Sequence, residues 1–216
     1  MATFFILLSI KILNRKQMTM NLPIYEVVLD EGCEGLYTIS LVKDPATMVS
    51  WLAFSKEQPQ QIKCSILSEE ERKVLAVVAR ADFPFYRMID GFEFYAVFTK
   101  DTIYKMAQKF FKDGYQKSVN LEHNSDAYVD GVEIVQAFIK DSAKGINPKG
   151  FEQIEEGSLF VEYKIENDEI WEAIKNGVYT SISLEGFFNI KPTGEVYEEL
   201  DLITNEDEFW EWLESL

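Results

Sequence analysis

The sequence predicts an α+β domain, with a largely antiparallel β-sheet or barrel core and a few flanking helices. Three observations carry that expectation. Short β-branched and aromatic runs recur along the chain, among them IYEVVL, LYTISLV, FEFYAVFT, VEIVQAFI and SLFVEYKI, each bounded by charged or Gly- and Pro-containing turns. Segments with helical spacing are few and scattered, and they do not alternate regularly with the strands. Apolar residues make up 47% of the 216 residues and aromatics 14%, enough to bury a real core.

The first two runs, IYEVVL and LYTISLV, flank an acidic turn at Asp30 to Gly35 and read as paired strands. Asp44-Pro45 stops the second, WLAFSK and QIKCSIL read as strands around EQPQ, and SEEER is a charged turn before KVLAVVARA. After the alternating FEFYAVFT, Thr99 stands as an N-cap, with Ile103, Met106, Ala107, Phe110 and Phe111 at helical spacing until Gly114. KSVNLEH returns to strand, NSDAYVDG reads as a turn, and VEIVQAFI is again strand. The polar stretch KDSAKGINPKGFEQIEEG carries three glycines and one proline and predicts an exposed, mobile loop. SLFVEYKI resumes the sheet, Asn167 caps a short helix closed by Gly177, and VYTSISLEGFFNI follows as strand.

Residues 1–19 read as an apolar extension, 20–192 as the domain proper, and 193–216 as an acidic tail in which TNEDEFWEWLESL forms an amphipathic helix. The apolar run from Ala2 to Ile10 has its positive charges, Lys11, Arg15 and Lys16, behind it rather than before it, the reverse of a signal peptide. It is also shorter than the roughly 20 apolar residues a spanning helix needs, so no membrane partner is expected.

The 37 acidic and 21 basic side chains leave a net charge of -16, which repels phosphate backbones and argues against direct nucleic-acid binding. Cys33 and Cys64 lack CxxC spacing, and one histidine cannot complete a zinc set with them, so neither a metal nor a cofactor is expected. The GxSxG elbow, the P-loop and the dinucleotide fingerprint are all absent.

If the chain performs serine hydrolase chemistry through an imidazole base, that base is His123, the only histidine. The serines of interest lie in TSISLEGFF, where strand alternation puts Ser181, Ser183 and Glu185 on one face and Ile182 and Leu184 on the other. Gly186 then permits a bulge or a close backbone approach. A polar row on a strand is also what any solvent-facing strand shows, and a lone histidine beside a turn is often just solvated, so pattern alone leaves both interpretations open.

LYTISLVKDPAT, FYR at Phe85 to Arg87, FYAVFTKDTI, VNLEHN and TSISLEGFF, taken in order from about Leu22 to Phe188, resemble the XkdF-type phage prohead serine proteases. Those belong to a wider group of tailed-phage capsid maturation proteases that are similar to herpesvirus assemblin. The resemblance implies an assemblin-like fold over a protease domain at 20–192. It implies a serine endopeptidase with His123 as general base and Ser183 as nucleophile, Ser181 being the alternative on the same face. It places the protein in the bacterial host cytoplasm inside the assembling procapsid, with scaffold and major capsid proteins as substrates and, by the assemblin analogy, a homodimer. No second histidine exists for the third catalytic position, and TISLV carries Thr38 where some relatives have a glutamate before a similar motif. Asp126, Asp130, Glu133, Glu185 or none of them completes the site on this reading. The alternative is an inactive scaffold- or capsid-associated module of the same fold.

Overall fold

A computed structural model describes residues 21–43 and 63–198. In chain order these form β1 (Asn21–Val28), β2 (Gly35–Val42), β3 (Ser65–Ser68), β4 (Lys73–Ala79), β5 (Phe85–Ile89) and β6 (Phe92–Phe98). The helix α1 (Lys100–Lys112) follows, then β7 (Asn120–Leu121), β8 (Asn124–Tyr128), β9 (Val132–Ile139), β10 (Leu159–Ile165), α2 (Asp168–Lys175), β11 (Ser181–Phe187) and β12 (Asn189–Glu198). The strands build three four-stranded sheets, ordered β12-β1-β6-β5, β3-β4-β10-β9 and β11-β2-β7-β8. Among the named strands only β1 with β6 and β2 with β7 run parallel, so the described residues form an α+β, mainly antiparallel fold. No sheet closes into a barrel among the described residues.

Both helices begin and end where their caps dictate. Thr99 Oγ1 accepts from Thr102 N at 3.3 Å, Asn167 Oδ1 accepts from Ile170 N at 3.0 Å, and Gly114 and Gly177 follow their helices at φ 83° and 70°. The α1 stripe buries Ile103, Met106 and Phe110 against β2, at about 1.5–3 kcal/mol for each side chain fully removed from water. Phe111 stands outside that stripe and remains 36% exposed.

Several sequence expectations are revised. The runs flanking Asp30 to Gly35 are both strands but not partners: β1 pairs with β12 and β6, whereas β2 pairs with β11 and β7. The turn passes the chain between sheets, and strand partners far away in sequence leave no local signal. NSDAYVDG is not one turn, because Asn124–Tyr128 forms β8 and pairs back onto β7. The bend lies instead at Glu122 and His123, the two residues between the strands, with φ 51° and 59°. β12 runs from Asn189 through Glu198 and pairs with β1.

The polar segment after β9 is pinned rather than loose. Lys140, 3% exposed, donates its Nζ protons to the carbonyls of Phe151, Glu152 and Ile154 at 3.3, 2.8 and 2.6 Å. Phe151 and Ile154 are buried with Phe160, and Arg80 pairs with Glu155 through a 2.7 Å Nε–Oε2 bond. A polar composition concealed these anchors because each depends on one residue reaching a distant backbone. The apolar extension, Asp44-Pro45, WLAFSK and TNEDEFWEWLESL lie outside the described residues.

Candidate active site

The site forms on the sheet ordered β11-β2-β7-β8. Antiparallel pairing sets Ser183 opposite Ser40, Glu185 opposite Thr38 and Ser181 opposite Val42. Residues opposite each other across a ladder share a face, so Ser183, Glu185 and Ser40 point the same way. The expected polar row exists, yet it is not a solvated one: Ser40, Ser183 and Ser181 are 0%, 3% and 6% exposed. Ile182 on the other face joins the main core.

His123 reaches this row from the tip of the β7–β8 hairpin. The type I′ two-residue hairpin turn matches strand twist by placing both central residues at positive φ, and Asn-Gly is its usual sequence. Here Glu122 and His123 occupy those positions instead, a backbone conformation that costs a non-glycine residue of order 1 kcal/mol or more. Two bonds hold the tip down on β2: Glu122 N donates to Leu41 O at 3.0 Å, and Lys43 N donates to Glu122 Oε1 at 2.9 Å.

His123 Nδ1 then lies 3.2 Å from Glu185 Oε1 and 3.2 Å from Ser40 Oγ. The Ser40 hydroxyl donates to Glu185 Oε1, and Asn120 Nδ2 donates to the same oxygen at 2.8 Å. Burial by itself would raise the Glu185 carboxyl, but the bonds from Ser40 and Asn120 and the neighbouring His123 outweigh it and hold the group below its usual range. An ionised carboxylate beside Nδ1 favours the tautomer with its proton there, which leaves Nε2 as the basic nitrogen. Asn120 is fully buried, and its Oδ1 has no hydrogen-bond partner.

Of the four carboxylates left open by the sequence, only Glu185 meets His123. Glu133 pairs with Lys117 at 2.9 Å, while Asp126 and Asp130 are exposed on and beyond β8. Thr38, the residue standing in the glutamate position of TISLV, faces Glu185 across the ladder. Ser183 does not hydrogen-bond to His123; it lies across the ladder from Ser40, which does. Sequence reasoning missed Ser40 and Asn120, although Ser40 sits inside the quoted TISLV motif.

Gly186 serves a close approach. A Cβ there would collide with the Phe188 ring and come within 2.7 Å of Gly35 O. The register does shift between Glu185 and Gly186, but the extra residue is Tyr37 on β2 rather than one on β11. Beside Gly186 a cavity of about 330 Å³ opens between β11 and the sheet ordered β12-β1-β6-β5.

Cys33 and Cys64 are both free thiols, and burial pushes the Cys64 thiol up to about 12, which leaves it protonated and inert. No helix among the described residues is long and apolar enough to cross a membrane.

A carboxylate seated on one ring nitrogen of a histidine, beside buried serines on the same sheet face, is the grouping of a triad-type serine hydrolase. The profile of the family described as "putative phage serine protease XkdF" matches residues 85–191, and over that stretch the chain belongs to this XkdF-type family of phage serine proteases. The matched stretch contains Asn120, His123, Ser183 and Glu185, while Ser40 lies before it. No curated protein and no solved structure matches the chain.

Proposed function

We propose that this protein is a phage prohead endopeptidase that cleaves scaffold and capsid proteins in the assembling procapsid, with Ser183 as nucleophile, His123 as general base and Glu185 as the acid that orients it. The observation that carries this reading is the 3.2 Å contact between His123 Nδ1 and Glu185 Oε1. Ser183 Oγ attacks the scissile carbonyl carbon as His123 Nε2 takes its proton, and Glu185 stabilises the imidazolium. Collapse of the tetrahedral intermediate expels the amine, which receives that proton, and water then releases the acyl group by the same route in reverse. β11 is an edge strand, so its outward amides near Gly186 are the donors at hand for the oxyanion. In the absence of substrate, a Ser183–His123 bond need not already be formed.

The 3.2 Å contact between Ser40 Oγ and His123 Nδ1 supports a second assignment, with Ser40 as nucleophile. Against it, the Ser40 hydroxyl already donates to Glu185, and Ser40 lies outside the family match.

The test is co-expression with the neighbouring capsid and scaffold genes, followed by intact-mass analysis and by labelling with a peptidyl phosphonate. Processing should vanish in Ser183→Ala and in His123→Ala, and the label should sit on Ser183. A label on Ser40 would transfer the nucleophile's role. Unchanged processing by His123→Ala would end the serine protease reading, and unprocessed substrate with the wild-type chain would leave an inactive structural module.

A further inference from the structure

The cavity beside Gly186 has a composition that the chemistry at His123 does not use. One wall is the inner face of the sheet ordered β12-β1-β6-β5, where β6 contributes Phe94, Ala96 and Phe98 and β5 contributes Phe85. The other wall is β11, through Leu184 and Gly186. Arg87 also borders it, with its guanidinium carbon 4.8 Å from the Phe85 ring centroid, so the cation lies over an aromatic ring. The lining is otherwise dominated by aromatic and aliphatic side chains.

Two features say what such a space receives. At about 330 Å³ it falls at the small end of ligand pockets, which run from about 300 to 1,000 Å³. That suits one large side chain better than a cofactor. Glu185 lines the cavity as well as meeting His123, and Leu184, the residue directly after Ser183, forms part of its wall. Leu184 faces away from Ser183 by strand alternation, so pocket and candidate site adjoin along β11 through Glu185, the one residue common to both. β11 ends its sheet, with no strand hydrogen-bonded to its outer side among the described residues, although β4 packs near it and Cys64 N bonds Thr180 O just before it; an extended peptide added to such an edge directs alternate side chains to one face.

We infer that this cavity is a specificity pocket for one large apolar side chain, aromatic or long aliphatic, of a polypeptide laid along β11 within a residue or two of its scissile bond. The pocket rests on the protease reading for its use, but its occupancy is measurable without catalysis. Close packing by Gly186 keeps Phe188 and the Gly35 carbonyl in place beside the opening, and the exposed Ile89 stands at the rim.

The experiment uses the full chain carrying Ser183→Ala, titrated with capped pentapeptides Ala-Ala-X-Ala-Ala in which X is Phe, Leu, Ala or Asp, and followed by NMR of labelled methyl and amide groups. The Phe and Leu peptides should shift the Ala96 methyl and Gly186 amide signals and bind at least about tenfold more tightly than the Ala and Asp peptides. Ala96→Leu, which fills the cavity, should erase that preference. Ile89→Asp, a rim change with little risk to folding, should weaken the Phe peptide without altering the Ala peptide. Equal affinities for all four peptides, shifts confined to another surface, or an Ala96→Leu protein with unchanged preference would overturn the pocket. Selective binding together with failure of any phosphonate to label a serine would instead remove the protease reading and leave the pocket standing.

Discussion

His123 on the β7–β8 turn and Glu185 on β11 meet at 3.2 Å, Nδ1 to Oε1, although neither strand neighbours the other in the sheet. β2 lies between them, and its Ser40 contacts both partners. The acid of the candidate triad is thus held by its own partner and by two further donors, Ser40 and Asn120. A carboxylate so held is ionised before any substrate arrives.

Replacing Glu185 with Gln should lower kcat by about 10²- to 10⁴-fold with little change in KM, because an amide neither stabilises the imidazolium nor fixes its tautomer. The same group carries a pH signature. Its folded-state carboxyl is depressed, so it contributes stability above the ordinary carboxylate range and loses it as pH falls through the folded value. Urea midpoints measured between about pH 7 and pH 3 should therefore fall less steeply in Glu185→Gln than in the wild type. Parallel curves would show that Glu185 is not held in its charged form.

Glu122 should separate stability from activity. Gly at this position relieves a positive φ and is expected to hold or raise stability by about 1 kcal/mol or less. It also removes the carboxylate that accepts from Lys43 N, so the His123 tip loosens and kcat should fall. Thermal unfolding and steady-state kinetics on one preparation check both directions; a stable variant with full activity would deny the clip any role in placing His123.

Lys140→Met keeps the length and apolar stem of the side chain but strips the donors from three carbonyls. Hydrogen bonds to a charged group contribute about 1.5–3 kcal/mol each, so a loss of at least about 3 kcal/mol is expected, with the segment 141–157 becoming the first site of limited proteolysis. Wild-type resistance to protease in this segment would contradict the anchoring.

Tyr163 is fully buried, and its hydroxyl has no hydrogen-bond partner. An unsatisfied buried hydroxyl costs about 1–3 kcal/mol, whereas the ring itself packs in the main core. Tyr163→Phe should therefore raise the melting temperature, by a few degrees for each kcal/mol recovered. A lower melting temperature would mean that the hydroxyl is satisfied after all.

Most strands, both helix caps and the shared face of Ser181, Ser183 and Glu185 were legible in the sequence, because each depends on residues within a few positions of one another. Thr99 and Asn167 cap from within their own first turns, and strand alternation is a property of the backbone alone. Partners were not legible in the same way. The turn at Asp30 to Gly35 looks like a hairpin connection, and only the burial of both faces of β2 between distant segments makes it a passage between sheets. The Glu122-His123 turn escaped notice because its residues are not those that a positive φ usually selects.

By itself, then, the sequence determined an α+β fold, the single imidazole available for base catalysis, and the motifs that resemble the XkdF-type proteases. The tertiary structure decided which carboxylate reaches that imidazole, that Ser40 and Asn120 hold that carboxylate, and that a largely apolar cavity opens beside Gly186. The physical reason is range: periodicity and caps act over a few residues, whereas a 3.2 Å contact between β11 and the β7–β8 turn exists only once three strands have paired in register.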